Sequence, residues 1–144
     1  MKSTKQVEID CSVETLWAIL TKAEYTKQYM FNCTVDTDWK VGSDVNWEGE
    51  FNGVNAFQKG KVIAVTPGQQ LTYSTFDPNG ALDDVPSNYI HVSYTLHDIN
   101  GVSHLTISNE TFDDSTERMS HIKQGWDMVI GKIKEVAESV SLIS

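Results

Sequence analysis

The chain has 144 residues, of which 40% are hydrophobic and 22% charged, a composition that folds around a core and excludes a disordered segment. Twenty acidic against eleven basic side chains leave a formal charge of −9, and no run of Lys or Arg could follow a phosphate backbone, so no nucleic-acid partner is expected. No stretch approaches the roughly 18 consecutive apolar residues of a membrane span, and Met1-Lys2-Ser3-Thr4-Lys5-Gln6 lacks the apolar core of a signal peptide, so a cytoplasmic protein is expected.

Gln6-Val7-Glu8-Ile9-Asp10 alternates polar and apolar residues and reads as a short first strand. Ser12 then offers an N-cap, with Glu14 in the first turn and Val13, Leu16, Trp17 and Leu20 on one helical stripe. Thr21 and Glu24 have capping-box spacing for a second short helix. From residue 33 the period changes to two, predicting strands near 33 to 39, 43 to 51, 56 to 66, 70 to 77, 87 to 98 and 102 to 111. Asn52-Gly53 and Asn100-Gly101 suit two-residue hairpin turns, Pro67-Gly68 and Val41-Gly42 mark two more, and the short connections imply an antiparallel meander.

Between the fourth and fifth of these strands, Asp77 to Ser87 holds two prolines, a glycine and three acids and reads as a loop. Its length suits a rim or lid, expected at the mouth of any pocket. A helix over residues 118 to 142 follows Asp113-Asp114-Ser115-Thr116-Glu117, with an apolar stripe through Met119, Ile122, Trp126, Val129, Ile130, Ile133, Val136, Ala137 and Val140. Gly125 and Gly131 weaken that helix, so they are expected either to pack closely on the sheet or to leave space. These elements share one core only if the sheet curves around the last helix, an α+β helix-grip arrangement forming a single domain over 1–144.

The chemistry-bearing residues form no signature of a nucleophile, base or metal site, and neither a cofactor nor a metal is expected. Cys11 and Cys33 lack a second pair and read as reduced core thiols. His91, His97 and His104 fall at the parity of the outer sheet face, and Glu117 with His121 is two ligands without a third. The aromatic residues are more informative, because rings on a concave sheet can enclose a flat-walled pocket. Alternate strand positions and helix positions about a turn apart place Met30, Phe31, Trp47, Phe51, Tyr73, Phe76, Tyr89, Tyr94, Trp126 and Ile130 around one expected cavity.

An ordered set of short pieces carries a further resemblance: Val13-Glu14-Thr15-Leu16-Trp17-Ala18-Ile19-Leu20, Tyr29-Met30-Phe31, Asp38-Trp39-Lys40-Val41-Gly42-Ser43 and Trp47-Glu48-Gly49-Glu50-Phe51-Asn52-Gly53. Gly60-Lys61-Val62, Pro67, Leu71-Thr72-Tyr73, Tyr94-Thr95-Leu96 and Gly125-Trp126 continue it over nearly the whole chain. Together they resemble the START-like (SRPBCC) superfamily, in its group named after the activator of the Hsp90 ATPase (AHSA1-like). The resemblance implies a helix-grip fold with a cavity between sheet and terminal helix. It spans lipid carriers, polyketide cyclases, hydroxylase domains and stress-response proteins, and the eukaryotic co-chaperone adds a separate N-terminal domain that 144 residues are not expected to hold. Three functions follow: noncatalytic binding of an apolar small molecule or lipid, taken first; a module contacting an Hsp90-like chaperone; and a polyketide cyclase-like enzyme.

Overall fold

The computed structural model describes residues 1–143, apart from the side chains of Phe51 and Ile143. Strand β1, Lys2–Ile9, starts earlier than its alternation predicts because it lies along a late strand at the sheet edge. Ser12 Oγ accepts from the Thr15 amide at 3.1 Å and caps helix α1, Val13–Thr21. Helix α2, Ala23–Tyr29, begins from Lys22 with no side-chain cap. The expected capping box is therefore not formed: Thr21 Oγ1 donates to the Trp17 carbonyl at 2.7 Å instead, bonding back into its own helix.

The meander follows as β2 (Cys33–Asp36), β3 (Asp44–Phe51), β4 (Val54–Thr66), β5 (Gln70–Thr75), β6 (Ile90–Ile99) and β7 (Val102–Glu110), and the chain ends in helix α3, Thr116–Ile143. All pairings are antiparallel, in the order β1-β7-β6-β5-β4-β3-β2. Asn52 and Gly53 have φ of 53° and 78°, and Asn100 and Gly101 have 54° and 84°, the left-handed pairs that a type I′ hairpin turn requires. β2 ends three residues short of its predicted limit. Trp39 takes a φ of 57°, leaves the sheet and donates its indole Nε1 to the Thr21 carbonyl at 2.9 Å, closing over the end of α1.

Two features bend this sheet around α3. A Cβ at Gly60 would overlap the Ser74 carbonyl, so only glycine allows β4 to approach β5 there. Just beyond, the β4–β5 register shifts between Val62 and Ala64, a bulge that increases local twist. The result is a helix-grip α+β fold, with Val45, Trp47, Tyr73, Val92, Tyr94 and Leu105 buried on the concave face. α1 adds Leu16, Ile19 and Leu20 to the same core, and α3 adds Val129, Ile130, Ile133 and Ala137. Cys11 and Cys33 are free buried thiols. Among the described residues no helix is long and apolar enough to cross a membrane.

Candidate functional site

The core is incompletely filled beside the first half of α3. A cavity of about 240 Å³ lies between that half and the concave sheet face, walled by Trp47, Tyr73, Thr75 and Ile90 from strands and by Ile122, Trp126 and Val129 from the helix. Its third side is the turn between α2 and β2, where Phe31 and Asn32 take φ of 49° and 64°. Asn32 Nδ2 donates to the Glu50 carbonyl at 2.7 Å, and Gly49 has no side chain to obstruct Asn32, so this turn is clamped onto β3. The clamp holds Met30 and Phe31 at the cavity rim.

Gly125 also lines the cavity, and a Cβ placed on it would meet no atom within 4 Å. Of the two roles expected for the helix glycines, close packing is therefore not the one observed; Gly125 leaves space. Gly131 likewise faces open space.

Rings run continuously around the inner end of the cavity. Trp47 and Tyr73 have centroids 5.8 Å apart, Tyr73 and Tyr94 6.1 Å, and Tyr94 and Trp126 6.2 Å. The Tyr73 and Tyr94 hydroxyls lie 3.4 Å apart, and Tyr29 Oη donates to the Leu20 carbonyl at 2.7 Å. Burial pushes all three phenols above their ordinary range, and it raises the Cys33 thiol too, so the interior carries no charge at neutral pH. The mouth is different. There Thr75 Oγ1 donates to Gln58 Oε1 at 2.6 Å, with exposed His121 nearby. An uncharged aromatic interior behind a polar rim matches a molecule with a largely apolar body.

Met30, Phe31, Trp47, Tyr73 and Trp126 are brought together around this space. Tyr94 stands against Trp126 without lining it, and Ile130 borders a smaller neighbouring pocket. The side chain of Phe51 lies outside the described residues. Phe76 and Tyr89 are corrections: they stack on each other at 4.9 Å, and Tyr89 belongs to a trough on the convex face with Lys59, Lys61 and His91. Phe76 is three residues past Tyr73 in extended chain and Tyr89 five before Tyr94, so both point the other way.

The loop after β5 follows them. Asp84 accepts from Lys59 Nζ at 2.5 Å and from the Tyr89 hydroxyl at 2.7 Å, strapping the loop to the convex face. Arg118 Nη2 donates to the Asn88 carbonyl at 2.9 Å and ties its end to α3. No residue from 77 to 88 lines the cavity, so the expected lid does not sit over it.

The residues that sequence reasoning missed are Cys33, Ala56, Gln58, Thr75, Ile90, Ile122, Val129 and His121. Most were signalled by spacing: Thr75 is two from Tyr73, Ile90 four from Tyr94, and Ile122 and Val129 flank Trp126 on the helix. Of the histidines assigned to the outer face, His97 is exposed, His104 lies 3.9 Å from Glu8, and His91 meets Phe112 edge-on at 4.7 Å. Among the described residues no three His, Cys, Asp or Glu side chains gather as a metal would need.

Compared with known proteins, residues 10–138 match the family model described as activator of Hsp90 ATPase homolog 1-like protein. A solution structure of a protein from Cytophaga hutchinsonii is 27% identical, with 96% of this chain and 94% of that one covered and a TM-score of 0.80. The Aha1 dimer from Colwellia psychrerythraea is 18% identical over 96% of each chain, at a TM-score of 0.75. DynU16, a protein of the dynemicin biosynthetic locus, is 16% identical at a TM-score of 0.79, with 97% of this chain and 48% of that one covered. At those identities the last two establish likeness of fold alone. Among curated proteins none matches the chain.

Proposed function

The chain belongs to the activator of Hsp90 ATPase homolog 1-like family, and from that premise we propose that it acts as a single domain that binds a hydrophobic or amphipathic small molecule or lipid, without transforming it, between sheet and α3. One observation carries this reading: with four tryptophans and five tyrosines available to fill a core, the chain leaves about 240 Å³ open and places a glycine, Gly125, on its wall. That volume falls just below the roughly 300–1,000 Å³ of small-molecule sites, which suits a compact ring system or the buried end of a longer molecule. Acid–base turnover is supported less well. Burial drives the Cys33 thiol and the Tyr73 phenol away from the working pH, and the histidine on the wall, His121, stands exposed at the mouth rather than among the enclosing rings.

Native mass spectrometry of protein purified without denaturant should find a co-purifying apolar compound. Titration with fatty acids, flavonoids and sterols should quench tryptophan fluorescence through Trp47 and Trp126. No bound compound together with no response to any of the three classes would overturn the reading. A second reading, contact with an Hsp90-like chaperone, has the family description in its favour. Its test is a pull-down against the host's Hsp90 homologue with an ATPase assay, and stimulation would move the functional surface to the exterior.

A further inference from the structure

Trp126 borders two spaces. Besides the main cavity it lines a pocket of about 120 Å³ between α3 and the β1–β7 edge, whose wall includes Thr4, Asn109, Lys123, Asp127 and Ile130. Asn109 occupies the inward register of β7, on the same row as Ser103, Leu105 and Ile107; the other polar member, Ser103, is satisfied by donating its hydroxyl to the Cys11 carbonyl at 2.7 Å. It is 4% exposed, and its Oδ1 is a buried side-chain oxygen with no hydrogen-bond partner among the described residues. A buried acceptor without a donor is destabilising compared with an apolar side chain of the same shape, so its place in this row calls for a donor from elsewhere.

The geometry points to this side pocket as the seat of the ligand's polar end: a neutral hydroxyl reaches past Trp126 to Asn109, while the apolar body stays in the main cavity. The inference rests on the binding reading above and gives it a chemical class, an alcohol or phenol. Size agrees, because the two spaces together enter the roughly 300–1,000 Å³ range that the main cavity misses alone. Charge agrees as well. Lys5 Nζ pairs with Asp127 Oδ1 at 2.9 Å and Lys123 adds a further positive charge to the wall, which disfavours an ammonium group. A carboxylate brings only acceptors to an amide oxygen that needs a donor, leaving an uncharged donor as the match, of which the hydroxyl is the smallest and fits a pocket of this size. Trp126, half-buried and common to both walls, is the side chain that stands between the two spaces.

The test compares 4-pentylphenol with 4-pentylanisole, which differ in the hydroxyl hydrogen, by isothermal titration calorimetry. The native chain should bind the phenol at least tenfold more tightly. Asn109→Leu should bind both alike, whereas Asn109→Asp, which retains an acceptor, should keep the preference; thermal melts verify that each variant is folded. Equal affinities in the native chain, or a preference for the phenol that survives Asn109→Leu, would overturn the hydroxyl seat and leave cavity binding standing. If neither probe binds the native chain while a fatty acid, flavonoid or sterol does, the hydroxyl seat falls and the cavity reading stands; if none of them binds, both fall.

Discussion

The two halves of α3 carry the same apolar spacing and meet different surroundings. Toward the C-terminal end, Ile133 and Ala137 are fully buried in the common core. Lys134 Nζ donates to the Glu8 carbonyl at 2.6 Å and Glu138 Oε2 accepts from the Asp10 amide at 3.0 Å, so this half is also pinned to the end of β1. In the first half Ile122 and Trp126 are only half-buried, and Gly125 faces empty space. One helix thus divides its work: the second half secures the fold, and the first half tolerates an unfilled volume that the second half's packing offsets. A stripe of apolar residues says which face of a helix is inward, but not whether anything fills the space opposite.

The largest effect should come from Ile133→Ala, a truncation in the filled half, at about 3–4 kcal/mol in urea melts. Trp126→Ala removes a much larger side chain, yet with open space on its flanks it should cost less than about 3 kcal/mol, below the usual range for a packed tryptophan. A cost equal to or above that of Ile133→Ala would mean the indole is packed all round, and the contrast between the halves would be lost. The smallest change sharpens it. Gly125→Ala should stabilise the chain by up to about 1 kcal/mol through helix propensity while weakening binding of any cavity ligand, because the new methyl enters the open volume. Gly131→Ala should give a similar gain in thermal melts with ligand affinity unchanged, since Gly131 does not line the cavity.

The fold was legible because its signals are local. Asn-Gly turns demand left-handed backbone, period-two strands alternate faces, and Ser12 caps the helix that follows it. The site was legible only in part, for two different reasons. Phe76 and Tyr89 have the aromatic character of pocket residues, but alternation from Tyr73 and Tyr94 sends them outward, and parity decides which face a side chain takes. Asn109 was overlooked for the opposite reason: a polar residue at an inward position carries no apolar signal, and only burial without a partner reveals it. The α2–β2 turn depends on Asn32 meeting Glu50 and Gly49 across the fold, a tertiary contact that no local pattern encodes.

The pairing of β1 with β7 sets how the chain reaches this state. From β2 to β7 the strands join in chain order as antiparallel neighbours, so most of the sheet grows by closing short loops. β1 instead aligns Lys2 with Glu110 and Ile9 with Ser103, bridging the entire meander. Loop-closure entropy and contact order make such a non-local step slow. The edge strand is therefore expected to zip on last, and until it does the amides of β7 facing it exchange with solvent, while Lys134 and Glu138 have no β1 backbone to hold.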